Sequence, residues 1–276
     1  MERKMKKLIE NTEDPRTTQS IKKDLEGLGL NKGMTVLVHS SLSSIGWVNG
    51  GAIAVIQALM DIVTEEGNIV MPSQSVDLSD PSEWHYPSVP EKWWDTIRES
   101  MPAYNAQYTP TTGMGKIVEV FRSYPEVKRS CHPNYSFIAW GKDKNKILNK
   151  QSLNFGLGEQ SPLGNLYMDN SYVLLLGTDF DSNTCFHLAE YRIPFQKVVI
   201  KGAPVLINGK TVWRKYKDLE FREDLFEEIG KSFEIESDMK SGKVGSANCR
   251  LFSLKEAVDF AEKWFIEYDC KMNSRG

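Results

Sequence analysis

Cysteine is scarce in this chain. Cys131, Cys185, Cys249 and Cys270 are its four, widely spaced and without a Cys-x-x-Cys pair. That argues against a disulfide frame or a paired-cysteine zinc site and suits reduced thiols. The four histidines, His39, His85, His132 and His187, are equally scattered and make no helix-spaced metal motif, so no metal is expected. No apolar run approaches a membrane span, and the opening Met1-Glu2-Arg3-Lys4-Met5-Lys6-Lys7 lacks the apolar stretch of a secretory signal. A net charge of −3 offers no basic excess for nucleic acid or an anionic membrane surface. Gly-x-Gly-x-x-Gly, Walker and Gly-x-Ser-x-Gly patterns are all missing, which weakens nucleotide-hydrolase and serine-hydrolase readings.

What is present is a globular composition, 40% hydrophobic and 26% charged over 276 residues, enough for a substantial core. The pattern predicts one domain over residues 1–276. Thr17 to Leu28 reads as a helix closed by Gly29, and Met34 to Ser40 as a β-branched, apolar strand. A Ser/Gly-rich loop, Ser41 to Gly51, leads into an apolar helix, Ala52 to Val63, and then a strand, Asn68 to Met71. Strand, loop, helix, strand is a βαβ unit. The expected fold is therefore α/β, with a central mixed, largely parallel sheet covered by helices.

Residues 73–110 interrupt this rhythm with five prolines and three tryptophans, and read as an excursion bordering a binding cleft. Gly115 to Tyr124 reads as a helix and Tyr135 to Trp140 as a strand. Ser161-Pro162 has the form of a helix cap with proline at the first helical position. In the C-terminal half, Val198 to Trp213 reads as an antiparallel hairpin turning at Asn208-Gly209, inside a strand-rich region, 198–250, expected to border an acceptor cleft. A last helix is predicted from about Leu254 to Tyr268.

Two constellations carry chemistry. The first is Asn183-Thr184-Cys185-Phe186-His187-Leu188-Ala189-Glu190, which follows the apolar strand Tyr172 to Gly177. If a helix starts near Thr184, His187 and Glu190 share a face, as a general base and its carboxylate partner would. The plainer reading is a polar helix start with a solvated glutamate. Cys185 lies two residues from His187 and points to another side, which disfavours a covalent route. The second is His39, Ser40, Ser41, Leu42, Ser43 and Ser44, a strand-to-helix loop of the kind whose backbone N–H groups and hydroxyls hold phosphate oxygens. Thr112, Gly113 and Met114 offer further hydroxyl and backbone donors, or merely a capped turn. Between Asp218 and Asp238 nine acidic residues stand against Arg222 and Lys231, a field that would concentrate a cation or simply solvate a helix.

His39 to Gly46, Thr111 to Gly115, His132-Pro133 with Ser136-Phe137, Gly158 to Leu163, and Asn183 to Arg192 occur in that order. In this the chain resembles the aminoglycoside 3-N-acetyltransferases, the antibiotic N-acetyltransferase family, particularly its Bacillus-type members, over residues 17–268. The resemblance implies acetyl-coenzyme A as donor and the 3-amino group of a cationic aminoglycoside, or another amine, as acceptor. It implies cofactor pyrophosphate on Ser40, Ser41 and Ser43, with Thr112, Gly113 and Met114 near the pantetheine arm. It places the active-site histidine on His187, with Glu190 its nearest carboxylate. A neutral His187 would take the proton from an ammonium that cannot otherwise attack a thioester, while Thr184 and nearby N–H groups would face the thioester oxygen. From the acidic run itself, Asp218, Glu220 and Asp224 are the expected contacts for a polycationic acceptor. Coenzyme A use and the absent signal together imply a cytoplasmic enzyme, and a binding module without turnover is the alternative. Oligomeric state is left open.

Overall fold

Short apolar runs bounded by turns become the buried strands of a sheet with helices on both faces. In the computed structural model, which describes residues 2–194 and 196–274, this is how the centre is built. The helices are α1 (Glu2–Glu10), α2 (Thr18–Leu28), α3 (Gly51–Val63), α4 (Trp94–Ser100), α5 (Gly115–Phe121), α6 (Lys144–Ile147), α7 (Pro162–Met168), α8 (Phe186–Glu190), α9 (Phe226–Glu236) and α10 (Leu254–Asn273). The strands are β1 (Thr35–Ser40), β2 (Asn68–Pro72), β3 (Lys128–Arg129), β4 (Phe137–Gly141), β5 (Tyr172–Leu176), β6 (Val198–Ile207), β7 (Lys210–Leu219), β8 (Lys240–Val244) and β9 (Ala247–Ser253).

Seven strands form the mixed sheet in the order β3-β4-β2-β1-β5-β9-β8, and β6 with β7 makes a separate antiparallel hairpin. The parallel part is the central trio, with β1 paired to β2 on one side and to β5 on the other. The flanking pairs run antiparallel. Side chains alternate across the strands, so Val36, Val38, Leu174 and Leu176 pack under α2, α3 and α5. Leu37, Val173 and Leu175 face the other way, under α7, α8, α9 and α10. The result is three layers with a core on each side of the sheet.

Local signals explain the boundaries. Thr17 accepts from the Ser20 N–H while Ser20 reaches back, a reciprocal cap for α2. Ser161 accepts from the Leu163 N–H at 3.1 Å, with Pro162 opening α7. Asn208 and Gly209 have φ of 49° and 75°, the positive pair that a two-residue hairpin turn requires. The hairpin strands run to Leu219, well beyond Trp213, and α10 extends to Asn273. The excursion holds α4 and short 3₁₀ turns rather than a bare loop.

Strand β1 leaves toward β2 through α3, whereas β5 arrives on its other flank. In such sheets ligands bind in the crevice beyond the carboxyl ends of the strands where the order reverses. Here that crevice lies beyond Ser40 and Leu176. Its β5 side is held from behind by α9, where Gly230 lies flat on the Phe180 ring. A Cβ there would sit 1.9 Å from Phe180 Cγ. We expect Gly230→Ala to cost about 1–3 kcal/mol through overpacking and to lower the thermal midpoint by several degrees in a melting scan. An unchanged midpoint would refute this contact.

Candidate active site

At that crevice the chain encloses a cavity of about 1000 Å³, within the range of a large small-molecule site. His39 and Ser40 from the end of β1, and Ser41, Leu42 and Ser43 from the 3₁₀ turn after it, form one wall. The Ser41 N–H still donates to the Leu176 carbonyl at 3.0 Å, so the loop begins as an extension of the sheet ladder. The Ser44 hydroxyl donates to Ser41 at 2.8 Å and folds the loop on itself. Gly177, φ +72°, lets β5 leave the sheet directly against this loop, since a Cβ there would lie 2.7 Å from Ser44 Cβ. Gly113, Met114, Gly115 and Lys116 supply a second wall, and Thr178, Asp181, Ser182, Thr184 and His187 a third.

His187 is buried on α8, three residues from a fully buried Glu190. Its Nδ1 donates to Glu190 Oε2 at 2.7 Å, and the other glutamate oxygen accepts from the Arg222 N–H at 2.7 Å. Its Nε2 faces Glu223 Oε1 at 3.4 Å, a carboxylate with 65% of its side chain exposed and on the cavity wall. Phe221 and Phe226 flank the imidazole, with ring centroids 4.2 and 4.9 Å away. Burial alone pushes His187 down, but hydrogen bonds and charge from Glu190 and Glu223 outweigh it and raise the imidazole to about 9. The bond to His187 holds Glu223 below the usual carboxylate range. His39, pressed to about 3 by burial and then by the nearby His187 charge, is neutral.

Most of the residues singled out from sequence meet here. His39, Ser40, Ser41, Leu42, Ser43, Gly113, Met114 and His187 all line one cavity. Glu190 lies behind His187 as its partner. Thr112 is turned away: its hydroxyl donates to Asp77 and its N–H to the Gln74 carbonyl, fastening the segment to the excursion. Asp218, Glu220 and Asp224 do not belong to the cavity wall. Asp218 is fully buried, accepting from the Tyr191 hydroxyl and the Leu219 and Gly156 N–H groups, and burial raises its pKa. It braces the chain after α8. Glu220 pairs with Lys197 at 2.9 Å on the surface, and Asp224 is exposed beside Glu223. Within the acidic run, the residue that reaches the site is therefore Glu223. It belongs to the acidic run but lies 36 positions after His187, so no local spacing pointed to it. Cys185 is buried with its thiol pushed up to about 12 by burial, which leaves it inert. His132 braces a turn, its Nδ1 accepting from the Asn134 and Tyr135 N–H groups.

Two of the ordered motifs meet through an ion pair. Arg192 donates to Glu159 at 2.6 Å and stacks on the Tyr167 ring. Among the described residues, no group of three or more His, Cys, Asp or Glu side chains is placed to hold a metal ion.

The family model for aminoglycoside 3-N-acetyltransferases matches residues 37–266. The chain belongs to this family. It is 75% identical over 268 residues to the SPbeta prophage-derived aminoglycoside N(3′)-acetyltransferase-like protein YokD of Bacillus subtilis strain 168, covering 97% of this chain and 98% of YokD. The YokD crystal structure superposes with a TM-score of 0.96, over 96% of this chain and 99% of that one. AAC-IIIb, solved as a binary complex with CoASH, is 27% identical with a TM-score of 0.82 over 92% of this chain and 98% of its own. AAC-VIa bound to sisomicin is also 27% identical, TM-score 0.82, over 91% and 98%.

A histidine raised above its unfolded value of 6.5 stabilises the fold fully below about pH 6.5, and this contribution is lost as pH rises through about 9. Glu190→Gln removes the charge bonded to Nδ1. The His187 ring, followed by NMR, should then titrate well below 9, with the alkaline loss of stability starting at lower pH. A ring that still titrates near 9 would remove Glu190 as its partner.

Proposed function

We propose that this chain moves the acetyl group of acetyl-coenzyme A to the 3-amino group of an aminoglycoside, the amine attacking the thioester directly. The reading rests on one observation above all: a buried imidazole whose Nδ1 is held by Glu190 and whose Nε2 opens, beside Glu223, into the cavity walled by the Ser-rich loop. The donor fits that wall. His39 Nε2 and Ser40 Oγ are buried with no hydrogen-bond partner, polar capacity left for a ligand beside the loop. Backbone donors of Ser41 to Ser43 would take the pyrophosphate, and Gly113 and Met114 the pantetheine arm. Acetyl-coenzyme A supplies the activated acyl group, and its availability supports a cytoplasmic location.

The chain's own residues account for proton movement. Before the acceptor arrives, His187 is an imidazolium whose Nδ1–H donates to Glu190 and whose Nε2–H faces Glu223. An ammonium entering beside Glu223 takes over that carboxylate and brings a like charge near the imidazole. Both effects lower the His187 pKa, so the ring releases its Nε2 proton to solvent and becomes the neutral base that takes the amine's proton at Nε2. Glu190 keeps the Nδ1 tautomer fixed and favours the imidazolium that forms. Thr184 and neighbouring backbone N–H groups are the donors available to the charge building on the thioester oxygen.

Thiol release from acetyl-coenzyme A, assayed against amines with and without a 3-amino group, tests this directly. Release is expected only with the 3-amino acceptors, and His187→Ala should slow it by about 10²–10⁴-fold. A wild-type protein that releases no thiol, or a His187→Ala variant at full rate, would overturn the proposal. Glu223→Gln separates acceptor contact from donor contact. Its KM for the aminoglycoside should rise roughly tenfold or more, as for loss of a charged hydrogen bond, with KM for acetyl-coenzyme A unchanged. The rising limb of its kcat/KM profile should shift to lower pH, because one group raising His187 is gone.

A further inference from the structure

A helix outside the layered core completes the cavity. α1 and the residue after it contribute Met5, Lys7, Leu8 and Asn11 to the lining of the same cavity as the Ser-rich loop. Residues three and four apart are neighbours on a helix surface, so the pairs Met5–Leu8 and Lys7–Asn11 make a single face. That face combines an apolar patch, one cation and one amide. Met5 remains 49% exposed on it. Among the described residues Lys7 enters no ion pair, while its neighbour Lys6 pairs with Glu10 at 3.9 Å.

The C-terminal end of α1 is tied to the Ser-rich loop. The Thr12 hydroxyl donates to the Leu8 carbonyl at 2.7 Å and accepts from the Trp47 N–H at 2.8 Å. The Arg16 N–H then donates to the Trp47 carbonyl at 2.9 Å. These bonds fasten the chain after α1 to Trp47, midway along the Ser-rich loop. The charges on the cavity wall are also sorted by origin. Lys7 and Lys116 come from α1 and α5, whereas Asp181 and Glu223 come from the segments after β5 and β7, with His187.

On the acetyl-transfer reading, on which this inference rests, the thioester must reach His187 and the pyrophosphate lies on the Ser-rich loop. The nucleotide end must then occupy the rest of the same cavity, whose lining includes Met5, Lys7 and Leu8 of α1. That end carries a purine and a 3′-phosphate. We propose that α1 is the nucleotide-binding wall of the donor site, with Lys7 recognising the 3′-phosphate of coenzyme A and Met5 and Leu8 packing on its adenine. Thioether and aliphatic groups are well suited to such a ring face, and a lysine is a point-charge partner for a phosphate.

Calorimetric dissociation constants for coenzyme A and 3′-dephospho-coenzyme A decide it without any turnover. The wild-type protein should bind coenzyme A about tenfold more tightly, the scale of one charged hydrogen bond. Lys7→Ala should lose that factor for coenzyme A and leave 3′-dephospho-coenzyme A unchanged, so that the two ligands bind alike. Lys6→Ala should keep the difference. Alanine is a strong helix former, and a melting scan checks that α1 and the fold persist. A Lys7→Ala protein that weakens both ligands equally, or neither, would overturn the role of Lys7 and leave acetyl transfer standing. A wild-type protein that binds neither ligand would instead remove the acetyl-transfer reading, and this inference with it.

Discussion

Glu190 is a carboxylate with no exposed surface, and a charge in that position survives only if its oxygens are occupied. One oxygen takes the His187 Nδ1–H and the other the Arg222 N–H. The first bond fixes the imidazole. The second pins the start of the segment between β7 and α9, which carries Glu223 to the other side of the same ring. A single buried charge thus ties α8 to a segment more than thirty residues later and decides which way Nε2 points. Asp218 repeats the device one strand away, holding Tyr191 immediately after α8. With these carboxylates enclosed, α8 needs only five residues to hold its histidine still.

The position of that histidine comes from topology rather than from local chemistry. Parallel pairing of β1 with both β2 and β5 brings the ends of β1 and β5 side by side, and each continues into a loop that lines the cavity. Gly177 allows the two loops to touch. The Ser-rich loop and the His187 helix lie well over a hundred residues apart in sequence, yet they face one another because their strands are neighbours.

What could be read from sequence was whatever depends on near neighbours along the chain. The apolar runs of β1 and β5, the Ser161-Pro162 cap, the Asn208-Gly209 turn and the i, i+3 placement of His187 and Glu190 all belong to that class. Asp218 was misplaced for an instructive reason. Counted within an acidic run it looks solvated, but β7 extends to Leu219, and alternation along that strand turns Tyr216 and Asp218 inward while Lys215 and Lys217 face out. Glu223 and α1 carry no comparable signal. One reaches His187 across the fold, and the other is a mostly polar helix whose role depends on the cavity it covers. Strands β8 and β9 fall in the expected strand-rich region, but their place in the central sheet was not legible, because β9 joins it beside β5 from the far end of the chain.

The two proposed substrates have opposite charge, and this sets a requirement on any cavity that holds both. Coenzyme A brings phosphates, whereas an aminoglycoside brings several ammonium groups. A wall uniform in sign would favour one substrate and exclude the other. Here lysines enter from α1 and α5 and carboxylates from the segments after β5 and β7, with His187 among the latter. The same sorting bears on the chemistry. On the proposed reading, carboxylates near His187 would draw the acceptor's cation to the imidazole, yet they also favour its protonated form while the site is empty. On that reading, arrival of the acceptor would resolve the conflict, since its own charge would compete for Glu223 while Glu190, sealed in the core, stays with Nδ1. Two carboxylates on one ring therefore have separable duties because one is buried and the other is open to the cavity.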